Sequence, residues 1–186
     1  MKKIYVQFLL FAVVVLFLNS CKKDNVVDPN EGELITTVRL KLTNTLSSSI
    51  APLVYEFKDL DGEGGAAPVK FDDIVLQKNI PYICEVTVLN ESVNPADDIT
   101  SEIKAEANDH QFYYVPSSSN LLSVSNYDTD TQGLPLGLSS FWVTGLNPGT
   151  GTLKLVLKHK PGTKAANDPI TKGETDIELD FKLVIQ

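Results

Sequence analysis

The sequence predicts an all-β domain: an antiparallel β-sandwich of immunoglobulin-like type with one short helix between strands. Three observations carry this. Apolar and polar residues alternate with period two in several separate runs, turn-forming stretches divide the runs, and one lone segment has a helical period. In chain order, Val38, Leu40 and Leu42 alternate with Thr37, Arg39 and Lys41, which marks a half-buried strand. Further strands are expected at Leu53–Phe57 and Phe71–Leu76, then along a face made by Tyr82, Cys84, Val86 and Val88. Asn94-Pro95 has the form of an N-cap followed by Pro at the first helical position, and Ile99 and Ile103 fall four apart, so residues 95–108 are expected as an acidic helix. Strands at Phe112–Val115, Leu121–Ser125 and Leu138–Thr144 follow. Leu153, Leu155 and Leu157 then share a face opposite Lys154 and Lys158. The last run sets Ile177, Leu179, Phe181, Leu183 and Ile185 against Asp176, Glu178, Asp180 and Lys182. The stretches DGEGGAAP, DTDTQG, NPGTG and KPGTKAANDP supply turns. Eight or nine strands between residues 33 and 186 suit a sandwich, with a small barrel as the alternative.

Residues 1–20 form an export signal: Lys2 and Lys3 are followed by an apolar run from Ile4 to Leu18, too short for a membrane span and suited to a signal h-region. The run ends in Leu18-Asn19-Ser20-Cys21, a lipobox with an aliphatic residue at −3 and a small one at −1. The chemistry needs a thiol there, because the Cys21 sulfur takes a diacylglyceryl group and cleavage frees its amine for a further acyl chain such as palmitate. Two or three chains make attachment effectively permanent. Residues 21–32 then comprise the lipidated cysteine and a polar tether, and 33–186 the folded domain. Lys22, not Asp, follows the cysteine, which favours the outer membrane, facing the periplasm or the outside.

The 186 residues carry 16 basic and 24 acidic side chains, a net charge of −8. Loss of Lys2 and Lys3 with the signal leaves 14 basic residues and −10. A chain this acidic is a poor match for a phosphate backbone, which excludes nucleic acid as a partner class. With Cys21 lipidated, Cys84 has no partner within the chain and reads as a small buried hydrophobe on its strand.

Three constellations could carry chemistry. Asp59, Asp61 and Glu63 with Gly64 match the start of a calcium loop, as do Asp128, Asp130 and Gln132 with Gly133. Lys70 stands where the first would need its bidentate Glu, so no complete EF-hand loop is present, and Asp and Gly are equally what β-turns demand. The only two histidines, His110 and His159, are expected at strand ends on core-facing rows. Neighbouring strands could join them, with Asp109 or Glu106, into a zinc or copper site, and hydrogen-bonded rim positions are the plainer use. Catalysis finds no G-x-S-x-G elbow, phosphate loop or H-E-x-x-H, and the adjacent acids Asp72-Asp73 and Asp97-Asp98 would point to opposite faces. The reading is therefore not an enzyme. Phe141, Trp142, Tyr113 and Tyr114 could form an aromatic platform, although core or sheet-face packing is their more ordinary role.

Taken in order, GELITTV (32–38), DLDGEGGAAP (59–68), LNESVNPADDITSEI (89–103), NDHQFYY (108–114), GLPLGL (133–138), LKHKPG (157–162) and GETDIELDF (173–181) span nearly the whole mature chain. This set resembles small Bacteroidota envelope lipoproteins that often carry the automatic label "type 1 periplasmic binding fold". That label describes a two-lobed α/β structure with parallel strands, unlike the alternation seen here. The resemblance implies an envelope lipoprotein of a lineage rich in surface uptake systems, and it carries over no functional residue. The expected function is a non-catalytic, membrane-anchored module that binds a ligand or partner, accessory to an outer-membrane receptor. A structural or adhesive surface module is the alternative, and a small hydrolase the third reading.

Overall fold

The computed structural model describes residues 34–62 and 64–186. The signal segment, Cys21, the tether and Glu63 lie outside the described residues. Among the described residues, ten strands and one helix follow in the order β1 (Thr37–Asn44), β2 (Leu53–Lys58), β3 (Lys70–Phe71), β4 (Ile74–Leu76), β5 (Pro81–Leu89), α1 (Ile99–Ala105), β6 (His110–Pro116), β7 (Leu122–Ser125), β8 (Ser139–Thr144), β9 (Gly149–His159) and β10 (Glu174–Ile185). They form an all-β sandwich of two sheets, β3-β2-β1-β5-β8-β7 and β4-β10-β9-β6. All pairings are antiparallel except that of β4 with β10, which is parallel.

The alternation read from sequence is the alternation of burial. Val38, Leu40 and Leu42 of β1 and Cys84, Val86 and Val88 of β5 face the second sheet, which returns Leu153, Leu155, Leu157, Leu179, Phe181 and Leu183. Burying such side chains contributes about 1.5–3 kcal/mol each, the main favourable contribution to the fold. Trp142 is fully buried, donates its indole N–H to Ser140 Oγ at 2.8 Å and packs edge-on against Tyr114. Tyr114 in turn donates to the Gly137 carbonyl at 2.6 Å. These two aromatic residues belong to the core and form no ligand platform. Cys84, paired across the sheet with Leu42 and Ser140, is buried, and burial pushes its thiol pKa well up, so it packs as the expected inert hydrophobe.

Two expectations need correction. The run Phe71–Leu76 is not one strand: the chain leaves the six-stranded sheet after Phe71 and joins the other at Ile74, so Asp72 and Asp73 form the crossing. The helix is also shorter than 95–108. Asn90 and Asp97 exchange both backbone hydrogen bonds, at 3.1 and 3.0 Å, which keeps Asp97 extended. The cap is therefore Asp98, whose carboxylate accepts from Ser101 N, and Ile99 and Ile103 are the buried pair.

Candidate functional site

Three adjacent strands of the four-stranded sheet bring their ends together at one place. His110 opens β6 and His159 closes β9, and the two stand directly opposite each other in the ladder. Both extend rows that face the core, so their rings meet: the centroids are 4.6 Å apart and the planes 12° apart. Glu106 follows α1 on the turn that leads into β6. Its backbone carbonyl lies 3.2 Å from His110 Nδ1, where it accepts the ring proton and leaves Nε2 as the free nitrogen. The donor atoms of Glu106, His110 and His159 all lie within 4.8 Å of one another.

The third strand adds a residue that the sequence reading placed on the polar face. In β10, Thr175 pairs with Lys158 and Ile177 with Leu157, so Asp176 is the extra residue of a β-bulge. Lys158 Nζ bonds Thr175 Oγ1 on the outer side at 2.6 Å. Asp176 turns inward instead, with its side chain only 10% exposed and Oδ2 at 3.9 Å from His110 Nε2. That distance is too long for a hydrogen bond, and Oδ2 has no hydrogen-bond partner among the described residues. Burial pushes the Asp176 carboxyl up to about 6, and burial likewise lowers His110 below the ordinary imidazole value. Gly173 makes this corner possible: its φ is +84°, and a Cβ there would stand 2.4 Å from the His159 carbonyl oxygen.

Asp176 also lines a cleft of about 710 Å³ between β2–β3 of one sheet and β10 of the other. Phe57, Phe71, Ile177 and Leu179 give it an apolar bed, and Phe71 stands edge-on to both Phe57 and Phe181. Asp59 lies in its wall, buried, with Oδ1 unpartnered among the described residues. Two aspartates, each with one buried oxygen that has no hydrogen-bond partner among the described residues, thus contribute to the lining of one cleft.

The remaining candidates are placed as follows. Asp61 accepts from Ala66 N at 2.8 Å, and this bond holds its carboxyl below the usual range. Asp128 Oδ1 accepts from Gly137 N and Ser139 N at 2.8 and 2.9 Å, and Asp130 Oδ1 from Gln132 N and Leu134 N at 2.8 and 2.9 Å. Lys164 Nζ sits 2.8 Å from Asp130 Oδ2, and both side chains are almost wholly buried. The loop at 128–133 thus directs its carboxylates to its own backbone and to an ammonium. Asp109 accepts from Gly162 N and does not join the histidines. The sequence reading missed Asp176, since nothing in the run Glu174–Ile177 marks a bulge.

Comparisons of the chain with protein-family models, with curated proteins and with solved structures find no match.

Proposed function

We propose that the chain is an envelope lipoprotein, anchored through Cys21, whose β-sandwich holds a ligand without transforming it, in the service of an outer-membrane uptake system. The observation that carries the ligand is the cleft beside β10, a space of about 710 Å³ with an apolar bed and the buried Asp59 in its wall. Such a site favours a small molecule with an apolar body and a cationic group, because a buried carboxylate gains most from a positive partner. The lipobox and the tether support the anchor. The alternative reading, an adhesive module, draws on Val54, Ile83 and Val143, which are exposed on the outer face of the six-stranded sheet.

A matched pair of probes separates these readings. Phenethylamine and phenylacetate share an aromatic body and differ in charge sign. Phenethylamine is expected to raise the melting midpoint of the full chain and phenylacetate to leave it unchanged, with the gain lost in Asp59→Asn. Equal effects of the two probes, or an undiminished gain in Asp59→Asn, would remove the cleft as the binding site and leave the adhesive reading. For the anchor, Cys21→Ala is expected to move the protein out of the membrane fraction and abolish lipid labelling. A variant that remained membrane-bound and normally processed would contradict it.

A further inference from the structure

We propose that Glu106, His110, His159 and Asp176 bind one divalent transition-metal ion of the zinc class. The site goes beyond the cleft ligand: only Asp176 is common to the two, and either could fail without the other.

Four features of the structure converge on it. The first is the donor set. Two imidazoles and two carboxylates suit zinc, copper, nickel or iron, whereas calcium and magnesium take oxygen donors almost throughout. The second is orientation. His110 Nδ1 gives its proton to the Glu106 backbone carbonyl at 3.2 Å, the outer contact that fixes a metal-binding ring and leaves Nε2 as the lone pair offered inward.

The third feature is Asp176. Its side chain is nine-tenths buried, its Oδ2 has no hydrogen-bond partner among the described residues, and it is aimed at His110 Nε2 from 3.9 Å. A bulge turns it there, out of the polar row that the strand otherwise keeps. A buried carboxylate in this position is unfavourable unless something positive meets it. Among the described residues no lysine or arginine does so: Lys158 of the paired strand directs its ammonium to the Gly173 carbonyl and Thr175 on the other face. Asp176 and Glu106 supply two negative charges, which a dication with two neutral imidazoles would balance.

The fourth feature is reach and access. The Glu106, His110 and His159 donors lie within 4.8 Å of one another, and Asp176, outside that group of three, reaches the site from the His110 side at 3.9 Å. Tetrahedral zinc bonds of about 2.0–2.2 Å require donors separated by roughly 3.3 Å, so binding requires the donors to close by an ångström or so and the two imidazoles, stacked at 12°, to turn until both lone pairs meet the ion. Glu106 is exposed and Asp176 borders the cleft, so an ion can enter without opening the core.

The test is calorimetric titration of zinc into the metal-stripped full chain, solubilised in detergent, with cobalt(II) as a spectroscopic substitute. One ion per chain is expected, with the visible absorption of tetrahedral cobalt. His159→Gln and Asp176→Asn are each expected to weaken binding at least tenfold. Glu178→Gln, which alters an exposed carboxylate of the same strand, is expected to change nothing. Without metal, Asp176→Asn should melt no lower than the parent, because it removes an unpartnered buried charge, and it should lose the zinc-induced rise. Should His159→Gln fail to fold, Glu106→Gln on the exposed turn replaces it with the same expected loss. Absence of binding, binding undiminished in His159→Gln or Glu106→Gln and in Asp176→Asn, or equal weakening by Glu178→Gln would overturn the proposal.

Discussion

Asp130 and Asp176 are both buried aspartates, and their partners separate their roles. Asp130 has two backbone N–H groups on one oxygen and the buried ammonium of Lys164 on the other, and this company holds its pKa down against the burial that would raise it. Removing one member of such a buried pair leaves the other uncompensated, which costs about 3–5 kcal/mol. Asp130→Ala is therefore expected to lower stability by about 3 kcal/mol, equally in calcium and in chelator, as read by denaturant midpoints. A loss confined to calcium would instead make the loop an ion site. Asp128 and Asp130 illustrate the limit of motif reading: D-x-D with a following Gly has the same composition whether its oxygens face an ion or the turn's own amides. Only the three-dimensional partners distinguish the two. The strand-end positions of the two histidines are legible from core-facing periodicity, whereas their meeting is not: it follows from the β6–β9 register, which sets them opposite.

At the scale of elements, period-two patterning identified the long strands because each has one buried face, and a register slip would expose it. It failed where burial does not set the conformation. The run Phe71–Leu76 keeps its apolar character through a change of sheet, and the Asp176 bulge reverses the inward parity of β10 without any change of composition. The helix start was misplaced for a different reason. The Asn90–Asp97 bridge takes backbone groups that the expected helix would have needed, so the cap moves to Asp98. Asp98→Ala is expected to cost about 1 kcal/mol, within the usual range for losing an N-cap, by removing the acceptor of Ser101 N. Equal denaturation midpoints for the variant and the parent would show that packing of Ile99 and Ile103 alone holds the segment. A second element without regular structure is also pinned. The stretch after β9 is tied to the outer face of its sheet through Lys160, which donates to Gln111 Oε1 at 2.8 Å and Tyr113 OH at 2.5 Å and lies 3.6 Å from Asp168. Lys164 extends the tie to the Ala107 carbonyl and to Asp130.

Across the whole molecule, acidity and stability meet on the outer face of the six-stranded sheet. Glu91 accepts from Thr37 Oγ1 and Arg39 and pairs with Lys58 at 2.7 Å, and Lys58 followed by Arg39 draws its pKa down to about 2. A carboxylate depressed in the folded state contributes stability that is fully present above its unfolded value of about 4.3 and fades as pH falls toward 2. Glu91→Gln is accordingly expected to lose stability near neutrality and to flatten the acid limb of the stability profile between pH 5 and 2, measured by denaturant midpoints across that range. An unchanged acid limb would assign the loss to other carboxylates. The same end of the six-stranded sheet borders the cleft through Phe57 and Asp59, and the binding claim rests on Asp176, which lines that cleft and faces His110. The most direct measurement is an anomalous difference map, recorded at the zinc edge, from crystals of the zinc-loaded full chain. The predicted result is one dominant peak enclosed by His110 Nε2, His159, Asp176 and Glu106. Peaks confined to surface carboxylates such as Glu178 and Asp180, with none between the two imidazoles, would contradict it.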